Sequence, residues 1–511
     1  MLRNLSETKK GLGPYLLGVD LGTLGSKGAI VDVDGNVVAQ AFVEHAILHP
    51  RLDWAEQNPE EHYWGDFVKI VQLLLSKSVV DATSIAGISV SGTYPTLCVI
   101  DQNGDPVRPA ILYLDNRAKD ENKYLDQLLG PRPTLVTDMT PRILWLKKNE
   151  PSHLAKTRML LEPSNYVVYK LTGNYTMDYN YASDFRELFD LKRLEWNTDA
   201  CERFGIPIEI FPPVHAGSDI AGEVTPKAAE RTGLAPKTPV IVGTGDALLS
   251  MLGAGVTETQ DGSIYYGTAG ALDVLPHELM SILTGPGRPK ALDTEKRDVP
   301  VLATLVPSTG GLLRWFRDQF GHYELDFEKR LGLDAYRILD QEASQIPPGS
   351  GGVIVLPYLL GQRTPVRNPQ KRGVIFGLTA SHTRAHIYHS LLESFGYALR
   401  EGLVQLEREN LLPRRIVAMG GGAQSEMWRQ IISDVIGMPQ EYPHLRTSSE
   451  AYGGAYLAGY AVRIFADLRS LKEKWLGTSS ITNPNVELRN TYDALFRLYG
   501  NLDSILTNMW E

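Results

Sequence analysis

The sequence predicts an α/β fold whose core is built twice. Three observations carry that expectation. Strand-like apolar runs interleave with segments of helical periodicity, a glycine-rich hairpin opens the fold at Tyr15, and a second hairpin with the same Gly-Thr tip follows about 250 residues later.

The elements follow in order. YLLGVD, from Tyr15, reads as a buried strand, and LGTLGSK as a polar turn. Ala29 to Val33 forms the second strand, Asp34-Gly35 a hairpin turn, and Val37 to Phe42 the third strand. Ile85 to Ser91 and Val240 to Thr244 add further strands. VTETQDG, at 256–262, breaks the apolar pattern, and the second hairpin begins beyond it. There Gly262 to Tyr266 and Ala271 to Leu275 flank the turn Gly267-Thr268-Ala269-Gly270. Residues 276–299 are polar, hold Pro and Gly, and read as a surface loop or insertion. From Ala385 to Arg408, apolar residues at Ile387, Leu391, Phe395, Leu399 and Leu403 predict a core-facing helix. Arg415 to Met419 reads as a strand, Gly420-Gly421-Gly422 as a turn, and Met427, Ile431 and Val435 as one face of the next helix. The expected division is a flexible extension at 1–14, a first domain at 15–257 and a second at 258–511.

Composition narrows the function. A net charge of −9 argues against a general nucleic-acid binder, although a local basic site for a phosphate stays open. Cys98 and Cys201 are the only cysteines and form no CxxC pair, which points to a reducing, cytoplasmic setting without a disulfide framework. Cys98 lies in an apolar run and reads as core. The 11 histidines show no HExxH or other metal-ligand spacing. No export signal and no apolar run long enough to span a membrane are present.

Three segments hold residue types suited to anion chemistry. In Asp20-Leu21-Gly22-Thr23-Leu24-Gly25-Ser26-Lys27, small residues let backbone N–H groups approach an anion, Lys27 supplies a charge, and Asp20 can hold a divalent cation through water. An ordinary capped hairpin turn is the competing reading. Met419 to Ser425 joins a strand to a helix start, a place where free N–H groups favour anions. It carries neither the Gly-Lys-Ser/Thr of a P-loop nor GxGxxG. Asp246, between Gly245 and Ala247 at a strand end, suits a general base; a helix-capping aspartate is the alternative.

Together, LGVDLGTLGSKGAIVDVDGNVV, GTGDALLSMLGAG, YGTAG, LPYLLGQRTPVRNPQKRGVIFGL and AMGGGAQSEMWRQIISDVIG resemble the FGGY carbohydrate kinases over about Tyr15 to Ile464. The nearest likeness is to xylulokinase-like members. The resemblance implies duplicated actin-like ATPase (ribonuclease H-like) domains with a nucleotide cleft between them. It implies ATP-dependent phosphorylation of a sugar or polyol hydroxyl, most simply a ketopentose, with Mg2+ as the metal and a homodimer as the assembly. Asp246 becomes the catalytic base and Asp20 the magnesium-associated carboxylate. Gly22, Thr23, Lys27, Gly267, Thr268, Gly310, Arg314, Gly421, Gly422 and Ser425 fall to ATP, and Thr93, Tyr94, Asp115, Arg117 and Asp246 to the acceptor. WAEQ, from Trp54, matches the same pattern.

The sequence also departs from its relatives. Ser425 stands where some carry Asn, Lys27 where glycerol kinase has Arg, and Thr93-Tyr94-Pro95 where xylulokinases show Gln-Met-His. Ala247 stands where xylulokinases often show Asn. These leave the acceptor open among ketoses, sugar alcohols and signalling diols, beside a non-catalytic nucleotide-dependent switch of the same superfold.

Overall fold

The computed structural model describes residues 13–130, 138–277, 279, 283–285, 301–364, 368, 370–443, 448–467, 471–476, 479–507 and 509–510. Residues 1–12 of the expected extension and most of the 276–299 stretch lie outside that set. Two compact units result. The first takes Met1–Thr257, Glu278–Lys296 and Leu445–Gly477; the second takes Glu258–His277, Arg297–His444 and Thr478–Glu511. A single division at 257/258 therefore omits two excursions, and the second of them returns a helix to the first unit.

In the first unit, β1 (Tyr15–Leu21), β2 (Gly25–Asp32) and β3 (Val37–Glu44) form an antiparallel meander. β4 (Ile85–Gly92) lies parallel to β1, and β5 (Ile220–Glu223) and β6 (Pro239–Ile241) complete the order β5-β6-β4-β1-β2-β3. Strand period sorts β1 cleanly. Leu17, Val19 and Leu21 face a core shared with Phe67, Ile70 and Leu74 of the Asp66–Lys77 helix. Gly18 and Asp20 face the other way. There the Ser449–Ala461 helix lies so close that a Cβ on Gly18 would overlap the Ala451 carbonyl oxygen. The Asp246–Gly253 helix meets the same helix start as tightly: a Cβ on Gly253 would overlap the Ser449 carbonyl oxygen. Ser250 and Ser449 join their hydroxyls at 2.8 Å.

The second unit repeats the plan. β7 (Asp261–Tyr266), β8 (Gly270–Val274) and β9 (Val301–Val306) form the meander. β10 (Arg415–Met419) lies parallel to β7, and β11 (Gln440–Pro443) and β12 (Ser479–Thr482) complete the order β9-β8-β7-β10-β11-β12. Its core packs Ile264, Tyr266 and Leu272 against Leu391, Phe395 and Leu399, one face of the Arg384–Arg408 helix. Both units thus share a meander whose first strand pairs in parallel with a later one. They differ in where the antiparallel edge strand comes from, before its partner in the first unit and after it in the second.

Two boundaries differ from expectation. β2 begins at Gly25, so Lys27 belongs to a strand rather than a turn. A 3₁₀ turn at Gly421–Gln424 separates the glycines from the Glu426–Ile436 helix, whose N-cap is Ser425. Cys98 and Cys201 are buried free thiols, and burial pushes the Cys98 thiol up.

Candidate active site

Sheet register assembles the charged centre of the first unit. Asp20 is paired with Lys27 across β1 and β2 and with Ser91 across β1 and β4. Ser91 Oγ donates to Asp20 Oδ1 at 2.7 Å. The backbone turns sharply after β6, and Gly245 becomes the N-cap of the helix that Asp246 opens. Asp246 is therefore the first helical residue rather than the cap, and its Oδ1 accepts the Ala247 N–H at 2.7 Å. The Tyr94 ring lies against Gly245, where a Cβ would collide with it, and meets Tyr181 edge-on at 5.4 Å.

The electrostatics follow from burial and like charge. Burial raises Asp20 to about 6; Glu450 pushes the same way, while Lys27 and the Ser91 hydrogen bond oppose. Asp246 is raised well above the carboxylate range by burial, then by Asp20 and Glu450, against the Ala247 hydrogen bond and Lys27. For Lys27 burial works downward, yet Glu450, Asp20 and Asp246 outweigh it and raise the ammonium. Three carboxylates thus act on one ammonium. Glu450 was not among the residues expected from the sequence. It enters because the Ser449–Ala461 helix docks on β1; the signal was the small-residue stripe Gly453, Gly454, Ala455, Ala458 and Gly459, which permits such an approach.

The Gly22-Thr23 turn is held by His45, which the sequence reading did not single out, and by Gln57 of the WAEQ segment. His45 Nε2 lies 3.0 Å from the Gly22 carbonyl, and Gln57 Nε2 donates to the Thr23 carbonyl at 2.8 Å. Thr23 and Thr93 hydroxyls meet at 3.2 Å, and the Thr93 N–H donates to the Leu21 carbonyl at 2.9 Å. Tyr113 hydrogen-bonds the Thr23 side chain and senses the Asp246 charge. Thr93 and Tyr94 therefore border this centre.

The structure places Asp115 and Arg117 in an ion pair with each other. Asp115 holds Arg117 through both oxygens at 2.7 and 2.8 Å and accepts the Ala55 N–H at 2.7 Å. Arg117 also meets Glu56 at 2.7 Å and lies 3.7 Å from the centroid of the Trp54 ring. Both side chains are about 1% exposed. The pair braces the WAEQ segment, and its carboxylate and most of its guanidinium are spent on the protein.

In the second unit, the Gly267-Thr268 turn is stitched to the start of the Gly310–Phe320 helix. Thr309 and Gly311 N–H groups donate to the Thr268 carbonyl at 2.9 and 3.0 Å, and the Gly310 N–H to the Gly267 carbonyl at 2.9 Å. Arg314, one turn further, hydrogen-bonds Tyr336. Ser425 caps its helix through the Trp428 N–H at 3.1 Å and donates to Asp340 Oδ2 at 2.7 Å, while Tyr388 donates to the other oxygen at 3.1 Å.

Gly421 and Gly422 differ in kind. A Cβ on Gly422 would lie 2.5 Å from the Trp428 ring, whereas one on Gly421 meets nothing within 4 Å. Packing requires the bare Cα at 422. At 421 packing makes no such demand.

The same residues fit a divalent cation through charge: three carboxylates face one ammonium, and only one Asp20 oxygen takes the Ser91 hydrogen bond. No group of three or more ligating side chains is poised for a metal among the described residues.

The N-terminal domain of the FGGY family of carbohydrate kinases matches residues 15–253, and the C-terminal domain matches 263–462. Xylulose kinase of Bacillus subtilis is 29% identical over 495 residues, 96% of each chain. Gluconokinase of the same organism is 29% identical over 509 residues, 97% of each chain. The crystal structure of xylulose kinase from Rhodospirillum rubrum superposes with a TM-score of 0.80 at 26% identity, covering 97% of this chain and 99% of that one. No helix among the described residues is long and apolar enough to cross a membrane. With both family domains matched in order and each unit folded on the same twice-built sheet, the chain belongs to the FGGY family of carbohydrate kinases and has their actin-like ATPase fold.

Proposed function

We propose that the protein transfers the γ-phosphoryl group of ATP to a hydroxyl of a neutral sugar or polyol, with a ketopentose such as xylulose as the leading acceptor. The observation that carries this is Asp246, a carboxyl raised by burial and by Asp20 and Glu450. It stands at a helix start beside the Tyr94 ring. A raised carboxyl is the stronger base and is matched to taking an alcohol proton. Asp246 orients the acceptor hydroxyl and receives its proton as the O–P bond forms, because a loose phosphoryl-transfer transition state demands positioning more than nucleophilic force.

Lys27 and the amides of the Gly22-Thr23 turn offset charge on the phosphoryl oxygens. Asp20 would hold Mg2+, and the ion would supply further charge neutralisation there. In the second unit the Gly267-Thr268 turn, Gly310 and Arg314 serve the nucleotide phosphates, and Gly421, Gly422 and Ser425 its nucleoside.

The charge pattern also sorts the acceptor. The charged groups acting on Asp246 are two carboxylates and Lys27, and Lys27 is already given to phosphate. An anionic acceptor such as gluconate would add a fourth negative charge to this set, whereas a neutral ketose or polyol adds none. A cytoplasmic enzyme, monomeric or dimeric, is consistent with this chemistry.

Asp246→Asn tests the assignment. The expected result is a turnover loss of about 10²–10⁴-fold, the usual worth of a general base, with ATP affinity unchanged within about twofold. Turnover close to wild type would remove Asp246 from the role.

A further inference from the structure

We infer that His45 is a positioning residue for the phosphate turn, holding the Gly22 carbonyl through a proton shared with Asp66. This deepens the kinase reading and rests on it, since the turn's role as phosphate binder comes from there. The His45 side chain is 4% exposed. Its Nδ1 lies 2.7 Å from Asp66 Oδ2 and its Nε2 lies 3.0 Å from the Gly22 carbonyl oxygen.

Both partners are acceptors when Asp66 is ionised. A neutral imidazole carries one N–H, so it makes one of these hydrogen bonds and points a lone pair at the other oxygen. Both contacts become hydrogen bonds only when the His45–Asp66 pair holds one additional proton. That count is the same whether the proton resides on Nδ1 or on the carboxyl.

Other groups surround the pair. Asp66 also accepts from Ser26 Oγ at 3.2 Å and from Lys69 Nζ at 3.4 Å. On the other face the His62 ring stacks at 5.1 Å. His62 Nδ1 accepts the Asn58 N–H at 3.2 Å, which fits a neutral ring. Its pKa is lowered first by burial and then by His45, with Glu61 and Asp66 opposing and Lys69 adding to the fall.

The consequence for the turn is geometric. In a trans peptide the C=O and the following N–H point in opposite directions. Drawing the Gly22 carbonyl toward His45 therefore aims the Thr23 N–H away from it, and the Gln57 bond to the Thr23 carbonyl does the same for the Leu24 N–H. Neither amide donates to another group among the described residues. The backbone N–H of His45 donates to the Leu24 carbonyl at 3.2 Å, a second grip on the same turn. With the extra proton lost, the Gly22 carbonyl faces a bare nitrogen, the turn loses that restraint, and its amides are less well aimed at an anion.

The test compares ATP dissociation constants for wild type and His45→Gln across pH. ATP's own titration cancels in the ratio of the two. The expected ratio is about tenfold at low pH, the worth of one charge-assisted hydrogen bond, and falls toward one as pH rises. The effect on KM for ATP should exceed that on kcat. Asp66→Asn, which keeps a hydrogen-bonding partner but removes the charge, should move the fall to lower pH. Nitrogen-15 NMR of the wild-type imidazole should show a protonated Nε2 at low pH and loss of that proton as the affinity weakens. A ratio constant with pH, or an Nε2 that carries no proton at any pH, overturns the inference in a protein that binds ATP. Wild type that binds no ATP removes the kinase reading and the inference together.

Discussion

Asp20 shows how function and stability pull apart at a single side chain. Its folded pKa is raised to about 6, first by burial and then by Glu450. For a raised carboxyl the native state binds the proton more tightly than the unfolded chain. The associated stability is present below the ordinary aspartate value and is lost as pH rises through about 6. Asp20→Asn should therefore raise the unfolding free energy above pH 7 by an amount on the order of 2–3 kcal/mol, with the gain vanishing near pH 4. The same variant should lose most kinase activity. Thermal unfolding at the two pH values checks the first part, and a variant less stable than wild type at neutral pH would contradict it. Glu450 gives a second handle. It raises both Asp20 and Asp246, so Glu450→Gln should lower both and move the acidic limb of the kcat/KM profile to lower pH. An unmoved limb would show that Glu450 does not act on the base. Asp20, Lys27 and Asp246 were legible in the sequence because each sits on a motif. Glu450, His45 and Asp66 were not, since only the folded register and the docked helices bring them to the turn.

Elements were legible where local pattern decides them. The meander of each unit, the Arg384–Arg408 helix and the strand at Arg415–Met419 all follow from period and turn residues. What local pattern could not decide was where an element belongs. The Ser449–Ala461 helix lies more than 400 residues from β1 in the chain yet packs on it, because its small residues tolerate a backbone approach that larger ones forbid. Nor could it show that Asp115 and Arg117 pair with each other, since an acid and a base two residues apart suit an internal ion pair as well as a ligand. The paired glycines of the 3₁₀ turn test element against function. Gly422→Ala forces a methyl into the Trp428 ring and should destabilise by about 1–3 kcal/mol, the usual range for overpacking. Gly421→Ala meets no protein atom within 4 Å, so it should leave the melting temperature unchanged while raising KM for ATP severalfold. Equal effects on KM and melting temperature from both would remove the nucleoside from this turn.

At the scale of the whole molecule, two units share one sheet plan but carry different chemistry. The carboxylates, Lys27 and the Gly22-Thr23 turn occupy the first, the Gly267-Thr268 and Gly421-Gly422 turns and the Ser425–Asp340 pair the second. The duplication was visible from two Gly-Thr hairpins; the division of chemistry needed the register of each sheet. What remains for experiment is the acceptor, and the charge around Asp246 is the basis for proposing a neutral one. The direct measurement is ATP- and Mg2+-dependent ADP production in a coupled assay over xylulose, other ketopentoses, pentitols, tetritols, glycerol and gluconate. The account predicts strong turnover on a neutral ketose or polyol, abolished by Asp246→Asn, with gluconate slower by tenfold or more. Gluconate as the preferred acceptor, or ADP release that no acceptor stimulates, would contradict it.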